Sequence, residues 1–116
     1  MRDRQCAPSV TAADVERVAR RDFPGVALGT ILGILSAYGT EDWQREVDRV
    51  RLAILKLSKG SLTDLRYWTE QAKCDYRDVL GPAEYPEYGR RRWSTDEEHN
   101  EIVRSDWKQY ERWLKR

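Results

Sequence analysis

Cysteine and histidine are scarce here: the 116 residues include two cysteines and one histidine. The cysteines, Cys6 and Cys74, do not make the evenly spaced framework of a disulfide-stapled domain, so a reducing cytoplasm is the expected setting. Charge of one sign is missing too. With 21 basic against 20 acidic side chains the net charge is +1, which gives no overall attraction to nucleic acid or acidic lipid and leaves that to a local patch. No run alternates with period two, so no strand is expected. Met1 to Gln5 is polar and no apolar stretch with a small-residue cleavage site follows, so no signal peptide is expected. Aromatics and charges are plentiful: five Trp, six Tyr and 35% charged residues describe an ordered, highly charged single domain that needs no metal or disulfide staple.

One stretch is free of charge, Phe23 to Thr40. Its length approaches the roughly 20 residues of a spanning helix, and Gly25, Gly29 and Gly33 form a GxxxGxxxG pattern. Pro24 at its start and Gly39 at its end leave only about three to four helical turns. A buried core helix is therefore expected rather than a membrane span, with Ile31, Leu32, Ile34 and Leu35 covering most of its circumference.

The rest of the chain reads as helix. Residues 1–10 are expected to be a flexible tail and residues 11–88 a helical core domain. Thr11 caps a first helix, with Asp14 in a capping-box position and Val15, Val18, Ala19 and Phe23 on one face. A third helix is expected from a Thr40 cap, its seam running Trp43, Val47, Val50, Ile54 and Leu57. Gly60 and Ser61 form a turn short enough to force an antiparallel hairpin with a fourth helix, which carries Leu65, Trp68, Ala72, Tyr76, Val79 and Leu80 and stops at Gly81-Pro82. Residues 89–116 are a basic loop and a last helix packing on the core or on a second copy. A capping box is expected from Ser94 to Glu97, and the seam is Val103, Trp107, Tyr110 and Leu114. The expected fold class is all-α, a single-domain bundle of about five helices.

Several clusters have the residue types that chemistry uses. Asp64, Asp75, Asp78 and Glu84 could bind a divalent cation or share a proton, and Asp75, Asp78 and Glu84 define the enzyme or metal alternative. No histidine ligand or ExxH motif accompanies them, and pairing of Asp75 or Asp78 with arginines such as Arg49, Arg51 or Arg77 is the simpler explanation. His99 lacks a marked nucleophile or orienting partner, and Cys74 in a helix reads as a small packing residue. No catalytic residue, metal ligand or cofactor is therefore assigned. Arg90, Arg91 and Arg92 beside Trp93, with Arg104, Lys108 and Arg112 on the last helix, form the nucleic-acid alternative, since arginine next to tryptophan tracks phosphates and stacks bases. The acids that open the same helix count against it. A helix-turn-helix at Gly60 is rejected, because its reading helix would offer one arginine among acids.

The remaining feature is aromatic. Tyr85 and Tyr88 flank Pro86, and Trp93, Trp107, Tyr110 and Trp113 exceed what one small core needs. Tyr and Trp are favoured interface anchors, so these residues are the expected contact surface for a protein partner or a second copy, with a dimer slightly preferred. The tyrosine loop itself is expected to fold over the hairpin as a lid, with the outer Tyr88 free for contact.

The segments Arg49–Gly60 (RVRLAILKLSKG), Asp75–Leu80 (DYRDVL) and Ala83–Tyr88 (AEYPEY) carry a resemblance. Together they resemble a group of small bacterial helical proteins with an RVxLAxLKL…G…DYRDVL…EYP pattern. The likeness runs from about Val15 to Tyr88, with the chain from Gly89 outside it. It implies a bacterial helical domain, and because that group has no assigned activity it carries no catalytic residue across. The functional expectation is a non-enzymatic protein-protein interaction module, adaptor-like or immunity-like, without a membrane partner.

Overall fold

The structure, a computed structural model, describes residues 9–116. The expected N-terminal tail, with Cys6, falls outside the described residues except for Ser9 and Val10, and Val10 packs against the core. Six helices follow: α1 (Ala12–Asp22), α2 (Leu28–Leu35), α3 (Val47–Ser58), α4 (Leu62–Cys74), α5 (Arg77–Glu84) and α6 (Asp96–Lys115). No strand occurs among the described residues, and the fold is an all-α bundle. No helix among them is long and apolar enough to cross a membrane.

The middle of the bundle is α3, not α2. Val50, Leu52, Ala53, Ile54 and Leu55 are all fully buried, because α1, α4 and α5 all pack on this helix. Five consecutive-range apolar positions without a polar face need such enclosure. By contrast, α2 buries only Ile31 and Leu35. Gly29, Thr30 and Gly33 are exposed, and Leu28, Leu32 and Ile34 are half-covered. The expectation of a helix buried all round is thus corrected, since eight residues of α2 give about 12 Å of helix, enough to close one flank and no more.

Three boundaries also differ, each for a local reason. Helix α3 begins at Val47 rather than after Thr40, because the Gln44 side-chain oxygen accepts from the N–H groups of Gly39, Thr40 and Glu41 at 2.7, 2.8 and 3.0 Å. That amide folds residues 39–44 into a loop, and Glu46 in the left-handed region (φ 52°) blocks any extension backward. Trp43, expected on the seam, is consequently 49% exposed. The expected fourth helix divides at Asp75, whose backbone is extended. Its carboxylate accepts from the Arg77 N–H at 3.0 Å and from the Arg77 guanidinium at 2.9 and 3.0 Å, a side-chain alternative to helix propagation. Helix α5 then passes through Gly81-Pro82 to Glu84. The carbonyl that Pro82 leaves without its helical partner belongs to Asp78, and both residues are exposed, so water can satisfy it.

The hairpin turn matches its chemistry. Lys59 and Gly60 are left-handed (φ 49° and 79°), and Ser61 caps α4 by accepting from the Asp64 N–H at 3.2 Å. A Cβ at Gly60 would lie 3.0 Å from the Asp22 carbonyl oxygen, so that position also lets the end of α1 approach.

Candidate functional site

Helix α6 is joined to the rest of the chain by polar contacts as much as by apolar ones. Arg17 and Arg21 of α1 donate to the carbonyls of Leu114 and Trp113, each at 2.7 Å, covering the negative end of α6. The Arg21 guanidinium also lies 5.2 Å from the Trp113 ring centre. The capping box at the other end is Thr95 with Glu98, one residue later than expected, because Glu98 accepts from the N–H groups of both Ser94 and Thr95 at 2.8 and 3.2 Å. Those bonds hold the Glu98 carboxyl below its ordinary value, with Arg91 adding a smaller pull.

Asp106 is the residue that fixes the loop after α5. It is 1% exposed and accepts from the N–H of Glu87 at 3.1 Å and of Tyr88 at 3.0 Å. A buried carboxylate with two backbone donors is well satisfied, and the loop is fixed on α6 through the backbone of Glu87 and Tyr88. Tyr85 and Tyr88 therefore point where this anchor directs them.

From that anchor a row of aromatic rings runs from surface to interior. Trp93 stacks on Tyr88, with centres 4.9 Å apart and planes at 27°. His99 sits against both, 5.0 Å from Trp93 and 5.3 Å from Tyr88. Tyr85 links Tyr88 to Trp107, at 5.9 and 4.8 Å. Trp107, Tyr110 and Trp113 continue inward at 6.0 and 5.4 Å. The outer end is open, Tyr88 being 38% and Trp93 39% exposed. The inner end is closed, since Trp107, Tyr110 and Trp113 are all buried within the one chain. Of the six aromatics expected to face a partner, two are therefore surface residues, Tyr85 is half-buried behind them, and three belong to the core. The last helix docks on its own domain.

Next to the open end, residues Tyr88 to Trp93 line a concave notch of about 450 Å³. Arg90 is ion-paired with Glu87. Arg91 and Arg92 are exposed and have no ion pair or hydrogen bond among the described residues. The notch thus combines an aromatic wall with two available guanidiniums.

The other expected basic residues do not extend this patch. Arg104, Lys108 and Arg112 are exposed on α6. At 3.6 residues per turn, however, Glu97, Glu101 and Glu111 fall in the same arc of that helix. Acid and base alternate there as on a solvated surface.

The acidic group disperses. Glu84 is fully buried and receives Arg49 in a two-pronged pair, both bonds 2.7 Å, which raises the Arg49 pKa. Asp75 is engaged by Arg77, and this holds its carboxyl below the usual value. Asp78 is exposed in the first turn of α5. Among the described residues no group of three or more His, Cys, Asp or Glu is placed to hold a metal ion, so the Asp75, Asp78 and Glu84 site is corrected to two separate ion pairs and a surface acid. Cys74 is not a packing residue, being exposed at the end of α4.

A second concavity, of about 650 Å³, lies where α1, α3 and α6 end, with Arg21, Lys56 and Lys59 on its walls. Its positive charge answers nearby carbonyls: Lys56 donates to Ala83 at 2.8 Å and Arg21 to Trp113 at 2.7 Å. Lys56 and Arg21 thus compensate helix ends.

Two site residues escaped the sequence reading. His99 looked like a solvated histidine, because its ring partners come from a loop whose course no periodicity reports. Asp106 did leave a signal: it falls between Val103 and Trp107 on the apolar stripe of α6, and an acid at a core position implies a buried partner. Comparison with family models, with curated proteins and with solved structures finds no match, so the residues themselves carry the functional argument.

Proposed function

We propose that this chain is a non-enzymatic module that binds another protein through the surface formed by Tyr88, Trp93, Arg91 and Arg92. The observation that carries the reading is the stacked Tyr88–Trp93 pair, about two-fifths exposed on a loop whose backbone is anchored by Asp106. Tyr, Trp and Arg are the residue types that dominate binding energy at protein interfaces. A contact surface fixed in advance also loses less conformational freedom on association. The acidic group is dispersed and already paired in part, with Glu84 on Arg49 and Asp75 on Arg77, which favours the binding reading over a shared acidic site. An adaptor or immunity-like role in a bacterial cytoplasm suits such a module, with the exposed thiol kept reduced there. Nucleic-acid binding is the weaker reading, because the bases of α6 share their arc with acids.

The test compares immobilised wild type with Trp93→Ala in capture from nuclease-treated bacterial lysate. A protein retained by wild type and lost from the variant, at unchanged melting temperature, is expected. The purified partner should then bind Trp93→Ala about 2 kcal/mol more weakly, the scale of an interface hot spot. Retention independent of Trp93, Arg91 and Arg92 would overturn the reading.

A further inference from the structure

The open end of the aromatic row has a charge pattern that selects the kind of partner. Resting on the protein-binding reading of this same surface, we infer that the partner presents an acidic, extended segment. Its carboxylates engage Arg91 and Arg92, and a neighbouring apolar or aromatic side chain enters the notch against Tyr88 and Trp93.

Electrostatics comes first. Of the three consecutive arginines, Arg90 is ion-paired with Glu87, whereas Arg91 and Arg92 have no carboxylate partner among the described residues. Arg91 is felt by Glu98 through space, but the two make no ion pair, and Oε1 of that carboxylate accepts from the N–H groups of Ser94 and Thr95. Two unpaired guanidiniums beside an aromatic wall favour planar carboxylates, which a guanidinium binds through two parallel hydrogen bonds.

Shape comes next. A notch of about 450 Å³ admits side chains projecting from a strand of chain, and two neighbouring arginines match carboxylates a residue or two apart at about 3.3 Å per residue.

The surroundings separate a peptide from a nucleic acid. Asp96, Glu97 and Glu98 open α6 directly after the patch and all are exposed. A single strand runs a continuous line of phosphates through its site and depends on many cation contacts. The acids repel such a line, while a short segment with two or three carboxylates can end before reaching them.

The experiment selects a random dodecapeptide phage library on the full chain, with counter-selection on Trp93→Ala and on Arg91→Ser/Arg92→Ser. Circular dichroism melts establish that both variants are folded. The expected peptides are rich in Asp and Glu and contain at least one aromatic or leucine. A synthetic version should lose at least about tenfold in affinity when its acids become amides, and again in the arginine variant. Its binding should also weaken as sodium chloride is raised. Trp93-dependent peptides that are neutral or basic would sink the acidic-segment inference and leave the protein-binding reading standing. Enrichment that ignores Trp93 and both arginines would overturn both, as would fluorescein-labelled oligo(dT) that binds with the same arginine dependence.

Discussion

The two ends of the aromatic row use the same residue types under opposite conditions. At the inner end Trp107, Tyr110 and Trp113 are buried within the domain and act as core. At the outer end Tyr88 and Trp93 stack on each other with about two-fifths of their surface still in water. Arginine divides in the same way. Arg49 is committed to the fully buried Glu84, while Arg91 and Arg92 have no ion-pair partner among the described residues. Residue type alone therefore does not separate structural from functional side chains in this molecule. What separates them is whether another element of the chain has already covered the ring or paired the charge, and Asp106 marks the boundary between the two ends.

The comparison predicts that the largest loss comes from the closed end. Trp107→Ala should destabilise the fold by about 3–5 kcal/mol, the usual range for removing a large core aromatic, read as the shift in urea midpoint. Asp106→Ala should cost less, about 1–3 kcal/mol, because it leaves two backbone N–H groups without their acceptor. It should also change the amide resonances of Glu87, Tyr88 and their neighbours, which a purely distant destabilisation would leave in place.

Alkaline pH probes burial of the inner hydroxyls. Burial pushes the Tyr38 hydroxyl up to about 12 from 10.0, helped by nearby Tyr76. Burial, with Glu84 adding to it, raises that of Tyr110 as well. A raised folded-state value means that the folded chain holds its proton where the unfolded chain has released it. Stability from these groups should thus be complete below pH 10, the unfolded value, and fall as pH rises from there. The Tyr110 hydroxyl is buried without a hydrogen-bond partner among the described residues, so Tyr110→Phe should make this decline shallower without lowering stability at neutral pH. A steeper decline in that variant would contradict the assignment.

The smallest effect on stability belongs to the open end. Trp93→Ala should change unfolding free energy by no more than about 0.5 kcal/mol, as for a surface position, while abolishing partner capture. A core-sized loss would place Trp93 with Trp107 and remove the distinction.

Much of this was legible in the chain. The stripe of Val15, Val18, Ala19 and Phe23, the seam of Val50, Ile54 and their neighbours, and the Gly60-Ser61 turn all encode their roles within a few residues, so periodicity and cap chemistry suffice to read them. The breaks at Gln44 and Asp75 were not legible, because each depends on a side chain capturing backbone groups in competition with the helix, and propensity does not decide that contest. Nor did composition reveal which of the surplus aromatics would remain outside.

By itself, then, the sequence determined an all-α chain, its capped first and last helices and a hairpin at its centre, since these follow from local periodicity and turn chemistry. Only the tertiary structure decided that α3 rather than α2 occupies the middle, that Glu84 closes on Arg49, and that Asp106 holds Tyr88 beside Trp93. The reason is physical: burial and pairing across 18 to 35 positions of chain depend on which elements meet, and a local pattern does not specify its distant partner.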